Sequence, residues 1–473
     1  MSEEAASVPG SVDAGGAGAA GAAAESPTSQ GGPGRATLPR HGTPPDEVLR
    51  RLGALRQRDA KWHEGRVFSL VYHAGDEHTE LLKQAYGLFL SENALNPMAF
   101  PSLAQMENEV VSMAAGLLSG DAEACGTLTS GGSESLLMAC KTYRDRARAE
   151  RPAVTQPEMI VPATVHPALM KAAHYLCVKP VVAPVGPDFR VDVAAVRERI
   201  TPNTIFLVGS APPYPHGVID PIEELGALAQ AHGLGLHVDA CVGGFMLPFV
   251  ERLGYKVPRF DFRVPGVTSI SADVHKYGYA AKGVSTILYR NKELRKHQFF
   301  AYTDWPGGLF VSTTMQGTRP GGAIAAAWAC LNALGEDGYL RLCRGVMETS
   351  RALITGIAAI PGLRVLGEPA MSVFAFTADG VDLFAIADGM EARGWHMDRQ
   401  QLPSSIHMMI TPAHAAIVEP YLRDLREVTL YVAAHPELSA EGNAAMYGML
   451  AQVPERAMVR DFIVQLFDNM YRG

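Results

Sequence analysis

The feature that most restricts the fold is an alternation that runs from about residue 124 to 290. Short apolar stretches recur there, each followed by a glycine or polar turn and then an amphipathic segment. EMIVPAT precedes HPALMKAAHYL, TIFLVGSAP precedes DPIEELGALAQAHG, and GLHVDA comes next. Apolar runs of this length read as buried strands, and the helical segments between them supply the crossovers that parallel pairing needs. The pattern predicts βα units around a mostly parallel sheet, an α/β fold. Ligands of such sheets sit beyond the carboxyl ends of the strands, which is where catalytic side chains are to be sought.

The rest of the 473 residues is arranged around that block. A chain this long implies two domains or one large α/β unit with satellites. Residues 1–34 hold 8 Gly and 9 Ala and no aliphatic face, so residues 1–42 are expected to be a disordered tail. Its acidic start and missing apolar core exclude a signal peptide, and no later stretch has the length of a spanning helix. Thr43-Pro44-Pro45-Asp46 predicts a helix entry, and 43–110 reads as a helical segment broken by NALNPMAFPSL (Asn93–Leu103), whose prolines interrupt it. Residues 111–345 read as the large domain. Residues 346–473 read as a smaller α+β domain with strands in VFAFTAD and HMMITP.

Charge and cysteine usage narrow the function classes. Of the net charge of −8, −4 belongs to Glu3, Glu4, Asp13 and Glu25 in the tail, and no basic stripe follows. Nucleic-acid binding is therefore not expected. The 6 cysteines are scattered without a CxxC pair, as free thiols in a reducing cytoplasm would be. A soluble cytoplasmic protein is predicted.

Four places carry residues suited to chemistry. In TSGGSESLLMACKTYRD, Gly131, Gly132 and Ser133 form a turn at a helix start, where backbone N–H groups and the helix dipole attract an anion. Such turns also simply begin helices. In VPATVHPALM, His166 precedes a proline suited to the first helical position, leaving its ring face free to stack on a ligand or merely to meet solvent. In GLHVDA, Asp239 ends a strand. It can cap a helix, or hold a proton on a pyridine nitrogen. In SADVHKYGYAAKG, Lys276 and Lys282 lie between the predicted strands GVTSI and VSTILY, and Lys276 is placed as a lysine that bonds covalently to a cofactor aldehyde would be. In that order the four places offer a phosphate cradle, a ring stacker, a pyridinium partner and an amine, which is what pyridoxal 5′-phosphate requires of a protein. No HExxH or paired His/Cys spacing accompanies them, so no metal is expected.

TSGGSES, HVDAC and SISADVHKYGYAAKG resemble the fold-type I pyridoxal-phosphate enzymes of the group II decarboxylase superfamily. NALNPMAFPSL, VGSAPPYPHGVIDPI and FFAYTDWPGGLFVSTTMQGTRPGG bring the resemblance closer to the sphingosine-1-phosphate lyases, over residues 65 to 345. It implies a transferase-like sheet covered by helices on both faces, and cleavage of phosphorylated sphingoid bases between C2 and C3. The implied products are a long-chain aldehyde and phosphoethanolamine. It implies that Lys276 bonds the cofactor, His275, Gly132 and Ser133 hold its phosphate, His166 stacks on its ring and Asp239 pairs with its nitrogen. Thr318 would reach the phosphate of a neighbouring subunit in a homodimer with shared sites. Tyr72, Asn96 and Lys282 would bind the substrate phosphate. Two departures stand out: Asn96 replaces a His of eukaryotic relatives, and Phe310 stands where a Tyr is expected. Those relatives also carry a membrane helix where this chain has its polar tail. The alternatives are an amino-acid decarboxylase, which shares the lysine, aspartate and stacker but has no use for Tyr72 and Lys282, and an inactive lipid-phosphate binder.

Overall fold

The computed structural model describes residues 37–440, 442, 444 and 456–471, so most of the expected tail lies outside the described residues. Helix α1 (Pro45–Arg56) begins where the sequence predicts. Pro45 needs no N–H at the first position, and Asp46 and Glu47 face the positive end of the helix. Of the described residues, 37–57 and 456–471 form one unit and 58–440, 442 and 444 another.

The larger unit opens with a short 3-10 turn (Trp62–Glu64), α2 (Asp76–Leu88) and α3 (Pro101–Leu117). The break between these helices, residues 89–100, opens before NALNPMAFPSL and closes within it, because Pro101 starts α3 rather than preventing it. The strand–helix alternation follows: β1 (Cys125–Thr129), α4 (Gly132–Glu150), β2 (Glu158–Pro162), α5 (Pro167–Leu176), β3 (Lys179–Ala183) and α6 (Val193–Glu198). It continues through β4 (Thr204–Ser210), α7 (Ile222–Ala231), β5 (Gly235–Asp239), α8 (Leu247–Arg252), β6 (Val267–Ala272) and β7 (Ser285–Tyr289). These strands make a 7-stranded sheet in the order β1-β7-β6-β5-β4-β2-β3. Only β7 opposes the others, pairing antiparallel with β1 and β6. β2, β4, β5 and β7 are buried along their whole length, which is why they read as continuous apolar runs. Tyr143 of α4 stacks on Phe206 of β4 at 4.5 Å and places its hydroxyl 2.6 Å from Ser269 Oγ, fastening that helix across the sheet.

Beyond the sheet come α9 (Lys292–Arg295) and the hairpin β8 (Phe300–Tyr302) and β9 (Phe310–Ser312). Helix α10 (Gly321–Ala358) then runs through the expected domain boundary at 345, bending at Gly335, whose φ of 54° and ψ of −176° are not helical. It packs on α2 and α3 and also on β10 (Leu363–Val365), so it joins the two expected domains. With β11 (Val373–Ala378), α11 (Leu383–Glu391), β12 (Asp398–Gln400) and β13 (Ser405–Met409) there is a second, antiparallel sheet in the order β10-β11-β13-β12. HMMITP splits in two: its first half ends β13, and Pro412 opens a 3-10 turn capped by Thr411. α12 (Val418–Ala434) follows, and α13 (Arg456–Met470) belongs to the first unit. Among the described residues, no helix is long and apolar enough to cross a membrane.

Candidate active site

β1 and the parallel strands share one direction, so the turns after β1, β2, β4, β5 and β6 open on the same edge of the sheet. Those turns carry Gly132 and Ser133, His166, Tyr214, Asp239, and Asp273 to Lys276.

Lys276 lies in the turn between β6 and β7, its Nζ 2.9 Å from Asp273 Oδ2. Burial alone would push the Lys276 ammonium down, but Asp273 and more weakly Asp239 hold its pKa above the ordinary lysine value. Burial likewise works against the Asp273 carboxylate, yet Lys276, His275 and the Ser285 hydroxyl keep its pKa below the usual range. His275 Nδ1 accepts from Val284 N at 3.2 Å while Nε2 lies 3.6 Å from Asp273 Oδ2. Lys276 is thus a half-buried cation in a tight turn, held by a buried anion three residues before it.

Asp239 is buried at the end of β5, where Oδ1 accepts from Cys241 N at 3.1 Å and from Ser271 Oγ at 3.4 Å. Among the described residues, no lysine or arginine forms an ion pair with it. A buried carboxylate without a cation favours a protonated ring nitrogen beside it.

α4 begins at Gly132, and no side chain could replace that hydrogen. A Cβ there would stand 2.8 Å and 2.9 Å from the Asp273 carboxylate oxygens and 2.9 Å from Cys241 Sγ. The exposed Ser133 follows. Glu134 folds back to accept from Ser130 N at 2.6 Å and Met315 N at 2.9 Å, tying the helix start to the segment before Thr318. His166 caps α5, with Nδ1 accepting from Ala168 N at 3.2 Å, and remains exposed. The cap occupies one ring nitrogen and leaves the ring face open.

Lys282 lies 4.8 Å over the Tyr72 ring and donates to His275 O at 3.3 Å. Both line a cavity of about 450 Å³ with Trp62, His73, Leu82 and Tyr279. The side chain as a whole is solvent-accessible. Its ammonium, however, is partly desolvated in this concavity, and burial together with the Lys276 charge brings its pKa down to about 8. The Tyr72 hydroxyl meets Met409 Sδ at 2.6 Å.

Asn96 and Thr318 do not line that cavity. Asn96 Oδ1 accepts from Met98 N at 3.0 Å and Ala99 N at 3.3 Å, stabilising the turn between α2 and α3. Its segment pairs with that of Thr318: Asn93 Nδ2 donates to Thr318 Oγ1 at 3.3 Å, and Ala94 N to Arg319 O at 3.0 Å. Arg319 is fixed in turn by a bidentate pair with Glu107 at 2.6 Å and 2.9 Å. Both exposed residues therefore travel on one braced surface. Phe310 lies in β9 against Phe300 and Trp305.

Two residues of the site escape the sequence reading. Asp273 stands inside SADVHK, three positions before Lys276, and the acid-before-lysine spacing was its signal. Tyr214 follows β4 and stacks on the buried His407 at 3.7 Å. Burial, then Asp398, raises its phenol pKa while the Lys276 ammonium opposes the rise, so the hydroxyl is within electrostatic reach of that lysine. It lies within VGSAPPYPHGVIDPI, one of the stretches that carry the resemblance, but nothing in that stretch singles it out.

A phosphorylated pyridine aldehyde fits this arrangement. The close approach at Gly132 leaves backbone N–H groups at a helix start for the phosphate, Asp239 is available to the ring nitrogen, and Lys276 supplies the amine.

Comparison with known proteins agrees. The family model described as the pyridoxal-dependent decarboxylase conserved domain matches residues 54–379. Sphingosine-1-phosphate lyase of Oryza sativa subsp. japonica is 47% identical over 431 residues, 89% of this chain and 80% of the relative. The lyase of Saccharomyces cerevisiae is 40% identical, over 92% of this chain and 75% of its own length. Among solved structures, a Burkholderia pseudomallei sphingosine-1-phosphate lyase superposes with a TM-score of 0.85 at 41% identity, over 93% of this chain and 97% of that one. A Lactobacillus brevis glutamate decarboxylase shares the fold, with a TM-score of 0.73 at 22% identity over 85% of this chain and 95% of its own.

Proposed function

The chain belongs to the pyridoxal-dependent decarboxylase family and, within it, to the sphingosine-1-phosphate lyases, and from this premise we propose that it is a carbon–carbon lyase acting on phosphorylated sphingoid bases. The reaction breaks the C2–C3 bond of a 2-amino-3-hydroxy long-chain phosphate. The C3 hydroxyl loses its proton, C3 leaves as an aldehyde, and C2 gains a proton to give phosphoethanolamine. Pyridoxal phosphate, when bound, supplies an aldehyde for the substrate amine and a protonated ring that takes up the electron pair left at C2. Lys276 holds the cofactor and afterwards returns a proton at C2, with Asp273 keeping its ammonium in place. Asp239 maintains the proton on the ring nitrogen. Gly132, Ser133 and His275 bind the cofactor phosphate, and His166 covers the ring.

Lys282 supports the lyase chemistry over the decarboxylase chemistry of the family. A cation above Tyr72, in a cavity with an otherwise mainly apolar lining, suits a phosphate at the far end of the substrate, and a simple amino acid has no group for it. Asn96 and Thr318 act in the site of a second copy, which makes the enzyme a homodimer with shared sites. The braced surface that carries both supports this reading. Residues 111–345 hold the cofactor and the described residues 346–440 form the smaller domain, although α10 links them, while α13 falls in the other unit. A soluble, cytoplasmic enzyme accords with the six free cysteines, of which only Cys177 is exposed.

A product assay with sphingosine 1-phosphate and its saturated analogue tests the reaction. Long-chain aldehyde and phosphoethanolamine in equal amounts are expected. Release of CO2 from an amino acid, with both phosphorylated bases left intact, would replace the proposal with the decarboxylase reading.

A further inference from the structure

We infer that His63, His73 and Asp76 bind one divalent ion of the zinc class at the edge of the Tyr72–Lys282 cavity. One ligand atom from each of the three lies within 4.8 Å of the other two. His73 Nε2 stands 3.3 Å from Asp76 Oδ1. Ligands held about 2.0–2.1 Å from a tetrahedral ion are themselves about 3.3 Å apart, so this pair already spans one edge of the coordination shell.

A second observation points to a ligand. His73 Nε2 is shielded from solvent, and the group it faces is the Asp76 carboxylate, at a distance at the long end for a direct hydrogen bond. Buried ring nitrogens in folded proteins are normally satisfied, and an ion between this nitrogen and the carboxylate satisfies both.

The local structure presents the three side chains from two elements. His63 lies on the 3-10 turn Trp62–Glu64, which Gly65 closes with a φ of 66°. Trp62 stacks on its ring with centroids 3.4 Å apart, and the His63 and His73 rings meet edge to face at 5.5 Å. Asp76 is the first residue of α2, and its side chain is 94% exposed, so it can swing to close the shell. Two imidazoles and one carboxylate select zinc, cobalt, nickel or copper over magnesium and calcium, which prefer all-oxygen sites. Three protein ligands leave the fourth position for water or an anion. Trp62 and His73 also line the cavity, so the ion adds positive charge where Lys282 already provides some. None of this depends on the proposed reaction.

The test uses the full chain stripped of metal by chelator and dialysis. Cobalt(II) titration, followed by visible absorbance, is expected to give one tetrahedral site per chain, displaced by zinc. His63→Ala and His73→Ala should each weaken binding about 10-fold or more, the scale lost even when only a group behind a ligand is removed. His435→Ala, on an exposed part of the surface, should leave it unchanged. If the His73 variant fails to fold, His63→Ala carries the test alone, since His63 sits on an exposed turn. No cobalt band in the native chain, or equal affinity in native and His63→Ala protein, would overturn the assignment.

Discussion

At the scale of single residues, the account makes its sharpest claim about Lys282. With its pKa brought down to about 8, the free enzyme holds this side chain charged below that pH and neutral above it. kcat/KM for a phosphorylated substrate should therefore fall as pH rises through about 8, because that ratio reports groups of the free enzyme. Lys282→Arg keeps the charge at all these values and should move the fall upward. Lys282→Met removes a charge-assisted hydrogen bond to phosphate, commonly about 1.5–3 kcal/mol, and should raise KM about 10- to 100-fold with kcat less affected. An unchanged KM in that variant would place the substrate phosphate elsewhere. Asp273 shows where residue-level reading of the sequence stopped. Its spacing from Lys276 was visible, but its contact with the lysine requires the tight turn between β6 and β7. Tyr214 was visible only as one residue of the VGSAPPYPHGVIDPI stretch, because it is the packing of its loop on His407 that brings it to the sheet edge.

At the scale of elements, periodicity carried most of the fold. Most strands of the large sheet, the edge strand β3 excepted, are short and buried on both faces, so their apolar runs mark them and their turns mark the site. What periodicity lacked was continuity across a boundary: α10 keeps its amphipathic pattern through residue 345, and composition there resembles the start of a new domain. Two glycines show how elements are locked together at the site. Gly132→Ala would drive a methyl group against the Asp273 carboxylate and Cys241, and should loosen cofactor binding about 10-fold or more in a pyridoxal phosphate titration. Gly217 has a φ of +69°, and a Cβ there would lie 1.8 Å from Val373 O of β11. Gly217→Ala should cost about 2 kcal/mol or more in denaturant unfolding, since it forces a positive φ and separates the loop after β4 from the second sheet. A loss within about 0.5 kcal/mol would mean that the loop is not held this way.

At the scale of the whole molecule, the claim is that two copies complete each other's sites through Asn96 and Thr318. Co-expressed Lys276→Ala and Thr318→Arg chains, each inactive alone, should form mixed dimers with one intact site, giving about a quarter of native activity under random pairing. No recovery, with mixed dimers present, would contradict shared sites. Every scale meets at the nitrogen of Lys276, where the parallel sheet, the turn after β6 and the Asp273 pair converge. The most direct measurement is borohydride reduction of the chain loaded with pyridoxal phosphate, followed by peptide mass analysis. The account predicts a reduced cofactor adduct on the peptide containing Lys276, and none after Lys276→Ala. Cofactor trapped on another lysine while Lys276 stays unmodified would contradict it.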